Sequence, residues 1–540
     1  MTAWHLSPSG ADSRCLHDPS NERTSLARSN SLLRLHAADN VAVAKEHLAE
    51  DVDLQLGEQQ ITTRAAIPPG HKIAIAGIDH GAPVVKYGQV IGYAGSSIGI
   101  GDWVHVHNVE ATKPGLDYAF STELHEPPKP TRERFFDGYR RPNGSAGTRN
   151  YVAVISTVNC SATTAKYVAK ELTETDLSAY PNIDGVVAFV HKEGCALAFN
   201  SEDHKQLNRT MAGFAKHPNI VACIVLGLGC ETAQATVLER DHGLVQLGGI
   251  KEADEPLPMV LNIQEVGGVR KTVEKAVGVL RDLLPLANDV AREPIPISEL
   301  KIAMECGGSD GNSGITANPA VGVASDLLVA HGATSILSET TELYGAEHLL
   351  TRRAITPEVG EQLLERIRWW EDYARRYDAS IDNNPSVGNK NGGLTTIFEK
   401  SLGAVSKGGT SPLRAVYRYA EPITEKGFVI MDSPGFDPAS ITGKVASGAQ
   451  VVVFTTGRGS CFGCKPSPTI KVATNTPMFN RMKDDMDINA GVILDGSSIE
   501  EVGNQIFERI IATASGQETL SEAQGIGDEE FCPWFPGPIF

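Results

Sequence analysis

From about residue 135 onward, short, uniformly apolar runs alternate with stretches whose apolar residues recur at helical spacing. This rhythm restricts the fold more than any other feature of the chain. Tyr151-Val-Ala-Val-Ile-Ser, Gly185-Val-Val-Ala-Phe-Val, Ala222-Cys-Ile-Val-Leu and Lys301-Ile-Ala-Met have the form of strands buried on both faces of a parallel sheet. Between them, Ala165, Val168, Ala169 and Leu172 make one apolar stripe, and Leu207, Met211 and Phe214 make another. Further helices are predicted over 267–290, 319–330 and 357–378, the second opened by Pro319, whose missing N–H costs nothing in a first turn. The class predicted is α/β with parallel-type strands.

The preceding segments read differently. Residues 1–30 are rich in Ser, Asp, Arg and Asn and lack apolar periodicity, the signature of a disordered leader. Residues 31–110 carry short β-type runs broken by Gly, Asp and Pro, which describes a small β-rich domain. Lys-Pro-Gly and Pro-Pro-Lys-Pro make 111–134 a linker. The α/β region is read as two units, 135–380 and a Gly-rich 381–540. With 48 Lys and Arg against 66 Asp and Glu, the net charge of −18 argues against a nucleic-acid partner. There is no apolar window of about 18 residues and no signal-peptide core, so no membrane partner and a cytoplasmic location are expected. Nine cysteines scattered over a long chain suit reduced thiols rather than a disulfide framework.

Three of those thiols, Cys160, Cys195 and Cys230, stand 35 residues apart, each where a predicted strand gives way to a loop; Cys306 follows another strand in the same way. Strand carboxyl ends lie along one edge of an open parallel sheet, where ligands bind, so four soft ligands could converge there on iron, zinc or an iron–sulfur cluster. The alternative is that each Cys packs as a small apolar residue. His191 and Glu231 add an imidazole and a carboxylate beside Cys195 and Cys230. The Gly-rich turn from Cys306 through Asp310 could cradle an oxyanion. His105 and His107 alternate with valines, so on a strand both rings would share one face and could chelate a metal. Glu339, Glu342, Glu347 and His348 follow the predicted strand 334–337 and offer base, ligand or helix-start charges. Lys390, Arg458 and Lys465 sit on Gly-rich loops, as a substrate carboxylate requires. The single Cys461-x-x-Cys464 lacks the second half of a zinc ribbon, and no nucleotide-binding loop or H-E-x-x-H occurs.

Long stretches of the chain resemble the altronate and galactarate dehydratase family of sugar-acid lyases over about residues 31–540. They include Val84-Val-Lys-Tyr-Gly-Gln-Val-Ile-Gly, Trp103-Val-His-Val-His-Asn, Gly138-Tyr-Arg-Arg, Gly227-Leu-Gly-Cys-Glu, Glu305-Cys-Gly-Gly-Ser-Asp, Ser313-Gly-Ile-Thr-Ala-Asn-Pro, Asn384-Pro-Ser-Val-Gly-Asn-Lys and Phe454-Thr-Thr-Gly-Arg-Gly. The resemblance implies an N-terminal SAF-type β domain, a larger α/β catalytic region, and an Fe²⁺- or Mn²⁺-stimulated dehydration to a 2-keto-3-deoxy sugar acid. Met431-Asp-Ser-Pro-Gly-Phe-Asp437 looks more like altronate dehydratases.

For such a reaction Cys160, Cys195, Cys230 and Cys306, or some of them with His191 and Glu231, are expected to hold the metal, and His105 and His107 to close the site from the small domain. Asp310, Glu339 and His348 are the candidate bases, while Arg458, Lys465 and Lys390 are the candidate carboxylate grips. A sugar acid is the expected partner, with a homo-oligomer left open. Galactarate dehydration, a sulfolactate sulfo-lyase activity and a non-catalytic sugar-acid sensor are the alternatives.

Overall fold

A computed structural model describes residues 31–172, 177–234, 238 and 260–537; the leader expected at 1–30 lies outside them. The small domain folds from short antiparallel strands. Leu32–Leu33, Val41–Ala44, Lys72–Ala74 and Trp103–Val104 form a four-stranded sheet, beside a hairpin (Asp53–Leu56 with Gln59–Thr62) and a three-stranded sheet (Pro83–Lys86, Gln89–Ala94, Val109–Glu110). Period-2 alternation gives the domain two faces. Ala42, Ala44, Leu54, Ile61 and Ile73 fill its own core, whereas Val41, Ala74, Val84 and Ile91 join the core of the catalytic region. The segment 111–134 has no helix or strand and is tied down, with Ser121 N–H donating to Thr351 O and Glu123 N–H to Arg352 O.

Two parallel sheets follow. The first has the order Gly185–Phe189, Tyr151–Ser156, Ile220–Gly227, Val260–Asn262. Helices Asn159–Glu171 and Val269–Asn288 cover one face and Glu202–Ala215 the other. The second has seven strands, in the order Leu413–Tyr417, Gly427–Met431, Thr334–Leu337, Lys301–Cys306, Val451–Thr456, Thr469–Ala473, Ile488–Asn489, every neighbouring pair parallel. Ile302, Met304, Val451 and Val453 face the helices Ala317–Ala330 and Ile499–Ala514, while Ala303, Val452 and Phe454 face Asp437–Ala446. That last helix also packs on Glu202–Ala215 and so joins the two sheets.

The strands of the seven-stranded sheet come from both sides of residue 380. The expected boundary there therefore does not divide two folded bodies; a Gly-rich composition marked loops, not a domain end. Among the described residues no helix is long and apolar enough to cross a membrane.

The chain enters the seven-stranded sheet at Lys301–Cys306, winds outward on one side, then returns to Val451–Thr456 and winds outward on the other. The carboxyl ends of these two adjacent strands thus frame a topological switch point, where an open α/β sheet leaves a crevice for ligands.

Candidate active site

Lys301–Cys306 runs at its carboxyl end into the turn from Gly307 to Ser313, which meets the loop after Val451–Thr456: Gly457 N–H and Arg458 N–H both donate to Gly308 O, at 3.0 and 2.8 Å. Asp310 anchors this turn rather than facing outward uncommitted. Its Oδ1 accepts from Thr474 Oγ1, Ser313 Oγ and Asn312 N–H, and its Oδ2 from Asn475 Nδ2, at 2.9–3.1 Å. Burial nevertheless raises its pKa above the usual carboxylate range.

Above the turn lies a cavity of about 750 Å³ with walls from both domains. Ser31, Lys45 and Pro68 come from the small domain; Asp310, Asn312, Gly392, Arg458, Asn475 and Arg481 come from the catalytic region. Arg458 is exposed there, and Asn312 Oδ1 is buried without a hydrogen-bond partner.

Below the turn the strand ends gather a buried charge cluster. Glu305 and Cys306 end one strand, Glu339 and Glu342 follow Thr334–Leu337, and Asp437 opens the helix Asp437–Ala446. Three lysines answer them. Lys407 Nζ lies 3.0 Å from Glu339 Oε2, Lys400 Nζ lies 2.7 Å from Glu342 Oε1, and Lys444 pairs with Glu305. The Cys306 thiol stands 3.5 Å from both Glu339 Oε2 and Glu342 Oε2.

Four carboxylates so close cannot all ionise alike. Burial, reinforced by the charge of Glu339, raises Glu305 well above its ordinary value. Burial would raise Glu339 too, but Lys407, with Lys444 and Lys400, outweighs it and holds that carboxyl at about 2. Burial and the neighbouring Glu339 and Glu342 push Asp437 to about 7, and burial raises the Cys306 thiol. Glu339 adopts φ +61° and ψ +56°, a left-handed conformation uncommon for a residue with a side chain and often found where a site over-determines the backbone. Gly307 and Gly308 separate cluster from cavity: a Cβ at 307 would strike Asp437 Oδ2, and one at 308 would meet Thr456 Oγ1 at 3.1 Å.

Among the described residues, the sets of three ligand atoms lying within 4.8 Å of one another are Cys306–Glu339–Glu342 and Glu305–Glu339–Asp437. The proposed set of four thiols is therefore corrected. Cys306 is buried among carboxylates in the seven-stranded sheet, while Cys160, Cys195 and Cys230 are exposed at the carboxyl edge of the other sheet. The spacing argument located the strand ends but could not tell that two sheets supplied them.

Seven other candidates have different surroundings from those expected. The strand at His105 ends at Val104, because Asn108 Oδ1 accepts from His105 N–H and folds the next residues into a turn. His105 is buried, stacked on Trp103, while His107 is exposed, so they share no strand face. Glu231 already accepts from Thr157 Oγ1, Leu228 N–H and Gly229 N–H, and His191 is buried, its pKa lowered to about 4 by desolvation. His348 faces Gln89 in a separate pocket. Lys465 pairs with Asp528, and Lys390 ends a short helix whose Asn389 supports Ser309 O, so neither lines the cavity. Of the expected site residues, Asp310 and Arg458 line the cavity, and Glu339 and Cys306 lie in the cluster beneath it. Glu305, Asp437, Lys400, Lys407 and Lys444 went unnoticed. Their signal was charge inside apolar elements, as in Ile397-Phe-Glu-Lys400-Ser-Leu and Ile441-Thr-Gly-Lys444-Val, where ordinary packing tolerates none.

Comparison with known proteins covers nearly all of the described chain. Residues 30–112 match the altronate/galactarate dehydratase SAF domain, residues 138–288 the second domain of D-galactarate dehydratase/altronate hydrolase, and residues 297–539 the D-galactarate/altronate dehydratase C-terminal domain. The altronate dehydratase of Bacillus subtilis (strain 168) is 36% identical over 90% of this chain and 95% of its own. That of Escherichia coli (strain K12) is 35% identical over 91% and 96%. The galactarate dehydratase (L-threo-forming) of Escherichia coli (strain K12) is 38% identical over 94% and 97%.

Proposed function

The chain belongs to the D-galactarate/altronate dehydratase family, and from that premise we propose that it is a hydro-lyase converting a sugar acid, D-altronate first, to a 2-keto-3-deoxy acid and water. The observation that carries this reading is the polar cavity at the switch point, where two guanidiniums, three amides and a locked carboxylate meet. A planar guanidinium pairs bidentately with a carboxylate, which suits Arg458 to the acid end of the substrate. Asn312 Oδ1, lacking a partner, accepts from a substrate hydroxyl. Asp310 keeps the turn beneath the substrate rigid through its four hydrogen bonds.

The divalent metal implied by the family fits Glu305, Glu339 and Asp437. Their oxygens lie within 4.8 Å of one another, and Glu305 Oε1 and Glu339 Oε1 are buried without a hydrogen-bond partner. Hard carboxylate oxygens suit Mn²⁺ or Fe²⁺. When bound, such an ion supplies Lewis-acid stabilisation of developing oxyanions. Lys407 and Lys444 keep two of these carboxylates oriented in the absence of any ion.

Galactarate is the second reading, because it carries two carboxylates and Arg481 lines the same cavity as Arg458. The test is incubation of anaerobic protein, supplied with Fe²⁺ or Mn²⁺, with each acid and measurement of the 2-keto product. Turnover of D-altronate is expected. Turnover of galactarate alone would select the second reading, and no product from either acid would overturn both.

A further inference from the structure

Cysteine is among the most buried residue types, yet Cys160, Cys195 and Cys230 are exposed while Cys223, Cys306 and Cys464 are buried. Cys461 is exposed too, on the other sheet, but these three thiols follow the carboxyl ends of three adjacent strands: Cys160 that of Tyr151–Ser156, with Cys195 and Cys230 beyond its two neighbours. Their loops are fastened together. Asn159 N–H donates to Glu193 O at 3.0 Å, Ala233 N–H to Gly194 O at 3.1 Å, and Thr157 Oγ1 to Glu231 Oε1 at 2.7 Å. Gly194 has φ +100°, and a Cβ there would lie 2.2 Å from Thr157 O and 2.9 Å from Val158 Cα. The loop carrying Cys195 thus presses directly on the segment that leads into Cys160. Next to it Ala196 takes a left-handed φ of +57°, so the turn presenting Cys195 is held in a strained form.

A single ion would need these thiols closer together than they stand here. Three thiolates on a tetrahedral metal at about 2.3 Å stand roughly 3.8 Å apart. The three sulfurs are not among the ligand sets found within 4.8 Å of one another. A polynuclear iron–sulfur group, in which separate irons take separate thiolates, spreads its ligands more widely and draws them from distant loops.

We propose that Cys160, Cys195 and Cys230 bind a four-iron iron–sulfur cluster through three thiolates, at a site distinct from the buried carboxylates. One iron is then left without a protein thiolate and open to a small oxygen ligand.

The test uses the full chain, treated anaerobically with iron salts, sulfide and a thiol, then desalted. Acid-labile sulfide and broad visible absorption are expected in the parent protein. Both should be lost in Cys160→Ser, Cys195→Ser and Cys230→Ser and retained in Cys306→Ser and Cys461→Ser. Circular dichroism checks that each variant stays folded, as expected for conservative changes at the exposed positions 160, 195, 230 and 461. A parent protein that takes up no labile sulfide, or a triple variant that keeps it, overturns the proposal. The two readings separate cleanly: protein that turns over D-altronate with Mn²⁺ yet takes up no labile sulfide on reconstitution sinks the cluster and leaves the hydro-lyase reading standing, whereas protein that takes up labile sulfide through the three thiols yet turns over neither acid does the opposite.

Discussion

Glu339 concentrates the site's constraints in one residue: a left-handed backbone, a carboxyl held at about 2 and a fully buried lysine 3.0 Å away. Removing one partner of a buried ion pair leaves the other uncompensated, typically costing about 3–5 kcal/mol. Glu339→Gln should therefore lower the unfolding free energy by several kcal/mol in denaturant titration, and should weaken Mn²⁺ binding in the folded fraction. Arg458, exposed in the cavity, should behave differently. Hydrogen bonds between charged groups contribute about 1.5–3 kcal/mol, so Arg458→Ala should raise KM about 10- to 100-fold with little change in thermal midpoint, and Arg458→Lys should recover part of it. An Arg481→Ala variant that affects galactarate and altronate equally would count against a second carboxylate contact. Arg458 was legible in the sequence as a cation on a Gly-rich loop, and Cys306 as a thiol at a strand end. The lysines that neutralise the cluster were not. A charge on a buried helix face looks like a solvated charge until its partner, far away in sequence, is known: Lys407 and Glu339 are 68 residues apart, and Lys444 and Glu305 are 139.

At the scale of elements, the strands and most helices followed from local patterning. The runs at 151, 185, 222 and 301 are strands, and the helices predicted over 267–290, 319–330 and 357–378 appear as Val269–Asn288, Ala317–Ala330 and Pro357–Arg376. Which sheet each strand joined was not legible, because pairing depends on contacts that period and propensity do not encode. One close contact between elements is Gly213, on the helix Glu202–Ala215, where a Cβ would lie 2.2 Å from Ala446 O. Overpacking of this kind costs about 1–3 kcal/mol, so Gly213→Ala should lower the thermal midpoint without touching KM. His217 seals the same junction. Asn219 N–H donates to its Nδ1, so the proton sits on Nε2 and bonds to Ala449 O at 2.9 Å. Burial lowers its pKa from 6.5 to about 4. Between those values the unfolded chain binds a proton that the folded one refuses, so stability falls as pH drops from 6.5 towards 4, by about 3 kcal/mol from this group. His217→Gln should flatten part of that slope in unfolding curves measured across the range.

Across the whole molecule, the small domain is joined to the catalytic region by an ion triad. Lys72 and Lys86 each place Nζ 2.8 Å from opposite oxygens of Glu399, all three fully buried, and Lys72 also donates to Gly393 O. Glu399→Gln strands two ammonium groups in a seam without solvent, so limited proteolysis should cut within 111–134 faster than in the parent protein. Unchanged cleavage would mean that apolar contacts alone hold the domains. The same triad bears on how molecules enter and leave. Ser31, Lys45 and Pro68 make one wall of the cavity, and that wall is riveted rather than hinged. A wall pinned in this way by buried charges is expected to keep its place when a guest arrives, so that recognition there rests on fit at the entrance.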